Sequence, residues 1–311
     1  MKGAFIENRY YVDDGINYAY ERLSAEFSAR GVTLDRIKCP ITVIGKPTDF
    51  GYDFAILWNK DVSAALEMQS RGIPVYNSPI AIEICDDKQK TAAVLSRSGV
   101  KMPVTVFAPH AYLPQDEDED LFREVDKLGY PVVIKESRGS QGKQVYLAGT
   151  KEEAKEIHRS LGVKPHLFQS FEGDEKGSDI RVYVVGGKAV GWGKRRNTTS
   201  FRSNVAAGGK IEKYDFMEVY CAFLRDKVKS AVGSDKPLEG MKIVVDAGNG
   251  AGGFYAILGL SFGSVDFLPA KEPIFAEANS SAYLKGVESL GFDIAGEIAK
   301  YVLGGLRCNR K

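Results

Sequence analysis

The sequence is poor in the residues on which several common classes of site depend. It contains only three histidines in 311 residues: His110, His158 and His166. None lies in a recognisable motif, which argues against a histidine-activated nucleophile and against a Ser-His-Asp triad. The four cysteines form no CxxC pair, so neither a structural zinc site nor a disulfide scaffold is expected. The cysteines expected to be reduced thiols are Cys39, Cys85, Cys221 and Cys308.

The sequence also lacks a strong net charge and a long apolar run. Basic residues number 42 and acidic residues 41, a formal charge of +1, so no global field draws the protein to nucleic acid or a membrane surface. No segment approaches the roughly 18 uncharged apolar residues of a membrane span. The N-terminus, MKGAFIENRYYVDDG, lacks the apolar stretch of a signal peptide. We therefore expect a cytoplasmic protein without nucleic-acid or membrane partners.

Strand and helix patterns alternate over residues 1 to about 80. The composition, 44% hydrophobic and 27% charged, is typical of a globular protein, and the length predicts two or three domains. The segments GAFIE, ITVIG, FAILW and IPVYN are predicted strands, separated by helical patterns, which indicates an α/β layer with parallel strands. After Ser78-Pro79, the pattern predicts one helix from Ile80 to Ser98, ended by Gly99.

The remainder of the chain predicts antiparallel strands. PVVIKES and VYLA flank the loop RGSQGKQ as a hairpin, and HLFQSF, DIRVYVV and KAVGWGKR are predicted to form one antiparallel series. SVDFL and IFAEAN form a closing pair, before a helix from Ile294 to Val302. The acidic run Asp116 to Asp120 is interpreted as the solvated start of a helix, where carboxylates favour the positive end of the helix dipole.

The loop at residues 138–143 is the first candidate for chemistry. Glycines let backbone amides approach phosphate oxygens, and Lys135 and Lys143 supply positive charges beside them. The same letters would also fit a surface hairpin with incidental glycines. The loop alone therefore leaves both interpretations open.

The closing strand pair carries a possible cation site. Glu277 and Asn279 lie two residues apart on one predicted strand, so their side chains share a face, and Asp266 lies on the strand before it. Carboxylate and amide oxygens facing phosphates are what Mg²⁺ requires. A polar solvent face is the alternative, but the residues that flank Glu277 are apolar.

Four arginines lie within 22 residues around the aromatic Phe201. Arginine forks bind carboxylates and phosphates through two hydrogen bonds at once. A solvated basic face is an equally simple interpretation of such a group. The arginines are Arg181, Arg195, Arg196 and Arg202.

Five pieces of the chain, in order, resemble the RimK-type ATP-grasp ligases. They are DDKQKTAAVLSRSGVKMPVT, PVVIKESRGSQGKQV, SDIRVYVVGGKAV, RRNTTSFRSNVAAGG, and FGSVDFL followed by EANSSAYLKGVE. The resemblance implies an α/β (α+β) ATP-grasp fold, in which two α+β subdomains clamp ATP behind an N-terminal α/β preATP-grasp domain. The implied bounds are 1–80 for the N-terminal domain, 81–311 for the ATP-grasp domain, about 104–165 for the mobile lid and 166–311 for the C-terminal subdomain.

The same resemblance implies roles for individual residues. Lys88 and Lys135 would bind ATP phosphates, and Asp179 would lie near the ribose. Arg202, with Ser203 and Asn204 nearby, would face an acyl phosphate and the incoming amine. Residues implied for the loop over ATP are Ser140, Gln141 and Gly142; for the adenine hinge, Gln169, Ser170, Phe171 and Glu172; for magnesium, Asp266, Glu277 and Asn279; for the carboxylate substrate, Arg181, Arg195 and Arg196.

The implied activity joins a carboxylate to an amine with ATP and Mg²⁺, or Mn²⁺ in its place. The carboxylate is first phosphorylated, so the protein supplies positioning and charge neutralisation and needs no nucleophile of its own. Glutamate or another amino acid is the implied amine, and the acceptor is a small molecule, a peptide or a protein C-terminus. Assembly into a homo-oligomer is left open.

One segment departs from this family. Phe216 to Ala256 resembles a fragment of the phosphohexomutases, whose phosphoserine loop and metal loop are absent from the sequence. Its GNGAGG also satisfies the dinucleotide fingerprint GxGxxG, although the following βαβ unit is missing. Two alternatives to an active ligase follow: an impaired ATP-binding protein or chimera, and a nicotinamide-dependent enzyme.

Overall fold

The described part of the chain folds into three β-sheets with helices packed on them. A computed structural model describes residues 1–45, 50–114, 118–140, 142–203, 205, 208–215, 218, 225, 229–230, 233, 257–270 and 272–308. The strands are β1 Lys2–Glu7, β2 Thr33–Lys38, β3 Phe54–Trp58, β4 Val75–Tyr76, β5 Thr105–Phe107, β6 Val132–Glu136, β7 Val145–Ala148, β8 His166–Ser170, β9 Ser178–Val185, β10 Lys188–Arg196, β11 Lys210–Glu212, β12 Phe262–Leu268 and β13 Ile274–Asn279. The helices are α1 Asp14–Ser28, α2 Val62–Ser70, α3 Pro79–Asp86, α4 Lys88–Leu95, α5 Glu119–Asp126, α6 Lys151–Leu161, α7 Lys285–Glu288 and α8 Ile294–Cys308. Within these residues no helix is both long and apolar enough to cross a membrane.

The first sheet is parallel, as the alternating pattern predicted, with strand order β2-β1-β3-β4. Its central strand β3 is buried on both faces, which explains the unbroken apolar letters FAILW. The prediction for the second strand was wrong, because TLDRIK forms β2 and ITVIG follows it outside any strand. Ile41 and Ile44 of that segment are exposed, since no neighbouring strand pairs with it.

The second sheet has strand order β5-β8-β6-β7, and all three pairings are antiparallel. Because β5, β6 and β7 lie within the region predicted to be the lid, we call it the lid sheet. Helix α5 begins after Asp118, whose carboxylate accepts a hydrogen bond from the backbone N–H of Leu121, in agreement with the helix-start interpretation of the acidic run. The predicted single series of three strands was wrong in one respect. Strand β8 belongs to this sheet, whereas β9 and β10 form another.

The third sheet has strand order β11-β10-β9-β12-β13, with antiparallel pairing throughout. Strand β9 alternates: Ile180, Val182 and Val184 pack into one apolar cluster, and Asp179 and Arg181 face the other side. The predicted pair SVDFL and IFAEAN is confirmed, and it places Asp266 directly opposite Glu277. The closing helix extends beyond its predicted end to Cys308.

The predicted helix from Ile80 to Ser98 is broken at Asp87 into α3 and α4. The carboxylate of Asp87 accepts hydrogen bonds from the backbone N–H groups of Gln89 and Lys90, which starts a new helix. The backbone N–H of Lys88 is then free to donate to the carbonyl of Ser137 in the lid, at 2.8 Å. The break therefore brings Lys88 to the lid instead of leaving it inside a continuous helix.

The side chain of Asn77 joins the N-terminal region to the third sheet. Its amide nitrogen donates to the carbonyls of Phe262 and Ser280, at 2.9 and 2.8 Å. Its oxygen accepts from the backbone N–H groups of Ser261 and Phe262, at 2.7 and 3.1 Å. Asn77 is fully buried, so these four bonds satisfy an amide that has no access to water.

One apolar cluster also crosses the predicted boundary at residue 80. Phe5, Leu23 and Trp58 of the first layer pack in the same cluster as Phe262 and Leu303. Trp58 and Phe262 stack with ring centroids 6.0 Å apart. The domain bounds remain predictions, but the two regions share a core.

The mutase-like segment, Phe216 to Ala256, lies almost wholly outside the described residues, and so do all the glycines of GNGAGG. The chain after it is well packed. Leu258 and Leu260 are buried in the cluster that supports β9, β12 and β13. The strand that carries Asp266 is therefore supported from its N-terminal side.

Candidate functional site

A cleft lies between the lid sheet and the third sheet. It encloses about 1000 Å³ of space, part of it open to solvent. Predicted residues that line it are Lys88, Lys135, Ser140, Gly142, Gln169, Ser170, Phe171, Glu172, Asp179, Arg195, Arg202, Ser203, Asp266 and Glu277.

Two lysines lie at the inner end of the cleft. On β6, Val132 and Ile134 point into the lid core, so the alternate residue Lys135 points into the cleft. Lys88 Nζ lies 3.5 Å from a carboxylate oxygen of Glu277 and 3.3 Å from the carbonyl oxygen of Gly139. Burial lowers the pKa of Lys135 to about 8; the carboxylate of Glu277 opposes this shift, and the charge of Lys88 adds to it. An anion bound here would meet two cations, one of them poorly solvated.

The predicted hinge lies along the end of β8. The amide nitrogen of Gln169 donates to Thr105 Oγ1 at 3.0 Å, while its oxygen is buried and has no hydrogen-bond partner among the described residues. The hydroxyl of Ser170 accepts from the backbone N–H of Val104 at 3.0 Å and donates to Glu172 at 2.8 Å. The side-chain oxygen of Gln169 is therefore a buried acceptor that a ligand in the cleft could use.

The loop between β6 and β7 borders the inner end of the cleft. Gly142 has φ +72°, a left-handed conformation that favours glycine. The backbone N–H of Ser140 donates to the side chain of Gln144 at 3.3 Å. Gln141 lies outside the described residues. Ser140 and Gly142 thus lie beside the cleft, as the resemblance implied.

A charged network covers the face of the third sheet that lines the cleft. Arg181 donates from Nε and from a terminal nitrogen to the two oxygens of Asp266, both at 2.7 Å. Arg195 donates to Asp266 at 2.8 Å and, through Nε at 2.7 Å, to Asp179. Asp179 also accepts from the hydroxyl of Ser203. These five side chains lie on β9, β10, β12 and the loop after β10, and all are largely buried.

The two carboxylates of this network have opposite pKa shifts. Burial alone would raise the pKa of Asp266, but the guanidinium groups of Arg181 and Arg195 hold it below its usual range. Burial raises the pKa of Asp179; Arg195 opposes this shift and the charge of Asp266 adds to it. Asp266 therefore stays ionised to a lower pH than Asp179 does. Asp179, expected near a ribose, is engaged by Arg195 and Ser203.

Asp266, Glu277 and Asn279, the predicted magnesium residues, do come together. Asp266 and Glu277 are cross-strand partners, and the amide nitrogen of Asn279 lies 3.4 Å from an oxygen of Asp266. Two carboxylates and an amide suit a hard cation. In the described residues no group of three His, Cys, Asp or Glu side chains is placed to hold a metal, and this trio contains only two carboxylates. The donor atoms suit Mg²⁺, but Arg181 and Arg195 already donate hydrogen bonds to Asp266.

The remaining predicted arginines are placed differently from one another. Arg202 stacks on Phe201, 4.9 Å from the ring centroid, and donates to the carbonyl of Val145 in the lid, from Nε at 3.1 Å. Arg196 follows the buried Arg195 on β10 and faces the opposite side of the sheet, so it is exposed. It lines neither this cleft nor the second cavity, which is described below. Asn204 lies outside the described residues. Arg202 thus connects the third sheet to the lid.

A second, larger cavity adjoins the cleft and extends toward the first sheet. It shares Gly139, Ser140, Arg195 and Glu277 with the cleft. Arg181 and Asn279 also line it, together with residues that were not predicted: Tyr11, Trp58, Lys60, Tyr283 and Lys285. The indole N–H of Trp58 is buried, and no described residue accepts a hydrogen bond from it. No local motif marks these residues, since they meet only when the first and third sheets pack together.

The buried thiols do not contribute a nucleophile to the cleft. Cys39 and Cys85 are both free and buried. Burial raises the pKa of Cys39 to about 11 and that of Cys85 to about 12, so both are protonated near neutral pH. This agrees with the sequence expectation for these two cysteines.

Comparison with known proteins identifies the family. Residues 85–220 match the RimK-like ATP-grasp domain. A probable alpha-L-glutamate ligase from Methanococcoides burtonii is 32% identical over 245 residues, which are 77% of this chain and 70% of that protein.

Two solved structures show the fold. D-alanine–D-alanine ligase from Bacillus anthracis, complexed with ATP, matches with a TM-score of 0.67 at 18% identity, over 100% of this chain and 99% of that one. A RimK-domain ATP-grasp protein from Sphaerobacter thermophilus matches with a TM-score of 0.67 at 19% identity, over 97% and 99%. The predicted fold class is therefore confirmed, and the chain belongs to the RimK-like family of ATP-grasp ligases.

Proposed function

We propose that this ligase joins an acceptor carboxylate to the amine of an amino acid, glutamate or another, through an acyl phosphate. The observation that carries the proposal is the junction between the two cavities. Gly139, Ser140, Arg195 and Glu277 line both of them. A nucleotide in the cleft and a carboxylate in the second cavity would meet at this junction, which is where phosphoryl transfer requires them.

The cleft suits a nucleotide along its whole length. The unpartnered oxygen of Gln169 can accept a hydrogen bond from the exocyclic amine of adenine. At the other end, Lys135 and Lys88 can neutralise phosphate charge. Lys176 Nζ lies 5.5 Å from the ring centroid of Phe171, and both residues line the cleft. These features support ATP as the nucleotide.

The proposed reaction has two balanced steps. An oxygen of the acceptor carboxylate attacks the γ-phosphorus of ATP, and the bond to the bridging oxygen of ADP breaks. The amine then attacks the acyl carbon, phosphate leaves, and the attacking nitrogen loses a proton to give the amide. Arg181 and Arg195 would orient the acceptor carboxylate, and Arg202 would neutralise the acyl phosphate.

Glu277, Asn279 and Asp266 would hold the magnesium ions that ATP-grasp ligases use. A metal ion held by these residues, Mg²⁺ or Mn²⁺, would supply positive charge to neutralise the phosphates. Glu277 already lies 3.5 Å from Lys88 Nζ, so cation and phosphate ligands are adjacent. Asp266 would have to leave its arginine partners first.

The second cavity favours an anionic acceptor. In addition to the two arginines, Lys60 and Lys285 line it. Lys60 is paired with Asp86, whereas the ion pairs of the described residues include none for Lys285. A small molecule, a peptide or a protein C-terminus with a terminal carboxylate would meet these charges. The glutamate ligase relative supports glutamate as the first amine to test.

The alternative of an impaired ATP-binding protein depended on disturbance of β12 by the mutase-like segment. In the structure β12 pairs with both neighbours, and Leu258 and Leu260 support it. These contacts favour the ligase. The nicotinamide alternative depends on GNGAGG, which lies outside the described residues.

The direct test is an assay of the purified protein with ATP, Mg²⁺ and paired panels of amino acids and carboxylate acceptors. We expect ADP and phosphate release only when amine and acceptor are both present. With the active acceptor labelled by ¹⁸O in its carboxylate, one label should appear in the phosphate. Glu277→Gln should abolish release, and Glu152→Gln, a change of the same kind on an exposed lid residue, should leave it intact. Nucleotide binding without release across the panels would favour the binding protein.

A further inference from the structure

The charged network on the third sheet leaves Asp266 without room for a metal. We propose that Arg181 exchanges partners: it blocks Asp266 in the metal-free protein and binds the acceptor carboxylate once a metal takes Asp266. Metal and acceptor then bind cooperatively. This inference rests on the proposed function, because it uses the proposed metal and acceptor sites.

The contact between the two residues is a complete fork. Both nitrogens of Arg181 that face Asp266 donate at 2.7 Å, one to each carboxylate oxygen. Only 12% of the Arg181 side chain and 3% of the Asp266 side chain are exposed. A cation could not approach Asp266 without displacing this fork. The arginine is therefore a direct competitor of the metal.

Arg195 is not an equal competitor, because it has a second carboxylate. It donates to Asp179 as well as to Asp266. If Asp266 turned to a metal, Arg195 would keep Asp179. Among the ion pairs of the described residues, Asp266 is the single carboxylate of Arg181. The exchange would therefore leave one specific guanidinium without an anion.

An unpaired buried guanidinium is strongly unfavourable, so the exchange needs a replacement anion. Arg181 lines the second cavity, where the acceptor is proposed to bind. A carboxylate in the second cavity could accept the same pair of hydrogen bonds from Arg181 that Asp266 accepts in this structure. The metal would thus favour the carboxylate, and by thermodynamic reciprocity the carboxylate would favour the metal by the same factor.

The test measures Mn²⁺ affinity by electron paramagnetic resonance on the full chain saturated with ADP. Replacing the competitor, Arg181→Gln, should tighten Mn²⁺ binding by about tenfold. Acetate, a minimal carboxylate, should tighten binding to the original protein several-fold and should have no effect on Arg181→Gln. Arg159→Gln removes the same charge from an exposed position on α6 and controls for general electrostatics. Circular dichroism and thermal unfolding confirm that each variant is folded.

The outcomes separate this inference from the proposed function. If Glu277→Gln leaves Mn²⁺ affinity unchanged, the proposed metal site itself is wrong. If Glu277→Gln weakens Mn²⁺ but Arg181→Gln weakens it too, or leaves it unchanged, the metal site stands and the exchange is overturned. An equal acetate effect on the original protein and on Arg181→Gln would also overturn the exchange.

Discussion

The two ends of the site differ in how their polar groups are satisfied. At the nucleotide end, Lys135 is poorly solvated, and the oxygen of Gln169 has no hydrogen-bond partner in the described part of the chain. At the metal end, Asp266 is held by Arg181 and Arg195, and Asp179 by Arg195 and Ser203. The first end has groups ready for a ligand, whereas the second end is internally neutralised.

This difference predicts two kinds of binding. A nucleotide adds partners to groups that lack them, so little rearrangement is needed. A metal or carboxylate at the other end must first replace an existing ion pair. We expect variants at the nucleotide end to lose affinity, and variants at the metal end to show coupling between ligands.

The largest effect is expected from Lys135→Met. It removes the cation that points into the cleft, so substrate-dependent ADP release should fall by about 100-fold or more. Lys188→Met, a change of the same kind at an exposed position on β10, should be nearly neutral. A loss below about threefold for Lys135→Met would remove this lysine from the proposed mechanism.

The next effect tests the support of the metal end. Asn77→Ala removes four buried hydrogen bonds that hold the start of β12 and the end of β13. The free energy of unfolding, from urea denaturation, should fall by about 3 kcal/mol. Asn8→Ala, at an exposed residue just after β1, should change it little. Equal effects of the two substitutions would contradict the role given to Asn77.

A smaller effect is expected at the hinge. Gln169→Met keeps the length of the side chain but removes the unpartnered acceptor, so ATP affinity should fall by about tenfold, measured by calorimetry. Affinity for GTP, which lacks the exocyclic amine of adenine, should change much less. If the affinities for both nucleotides fell equally, Gln169 would not accept a hydrogen bond from adenine.

Proton uptake tests the pKa of Lys135. In the free protein this pKa is lowered to about 8, so at pH 8.5 much of the amine is neutral. A bound phosphate stabilises the ammonium and raises the pKa, so a non-hydrolysable ATP analogue should bind with uptake of a fraction of a proton. Calorimetry in two buffers of different ionisation enthalpy measures this uptake. Lys135→Met should lose it; uptake that persists in the variant would assign the proton to another group.

The smallest effect concerns the lid core. Burial lowers the pKa of both His158 and His166, whose rings are joined by a contact of 2.8 Å. As pH falls below about 6.5, these two histidines are protonated in the unfolded chain before they are protonated in the folded protein. The free energy of unfolding should therefore be unaffected by them above that pH and should decrease below it. The melting temperature of His158→Leu should depend less on pH between 6.5 and 5 than that of His110→Gln. If the melting temperatures of the two variants depended on pH equally, the pH dependence would not come from the His158–His166 pair.

The sequence predicted the fold well where local pattern and family motif agreed. Apolar segments located β6 and β9, and the closing strand pair placed Asp266 and Glu277 on neighbouring strands. The sequence did not predict the break at Asp87, because helical periodicity continues through that residue. The capping signal was present in the letters DKQK, where Asp87 precedes two backbone donors that it binds.

Two features were beyond sequence reasoning for a physical reason. The second cavity forms from residues far apart in sequence, such as Trp58 and Lys285, which meet only through packing of separate sheets. The pairing of Asp266 with arginines in place of a cation also depends on the register between β9 and β12, which puts Arg181 opposite Asp266. Motif resemblance assigned each residue a ligand but gave no information on its partner in the ligand-free state.

The most direct test of the proposed mechanism is a crystal structure with a non-hydrolysable ATP analogue, acetate as a minimal carboxylate, and Mn²⁺, the metal ion being located by its anomalous scattering. The proposed mechanism predicts Mn²⁺ within coordination distance of Glu277 and Asp266, the adenine at Gln169, and Arg181 turned away from Asp266 toward the second cavity. Mn²⁺ bound elsewhere, or bound to Glu277 while Arg181 keeps both hydrogen bonds to Asp266, would contradict it.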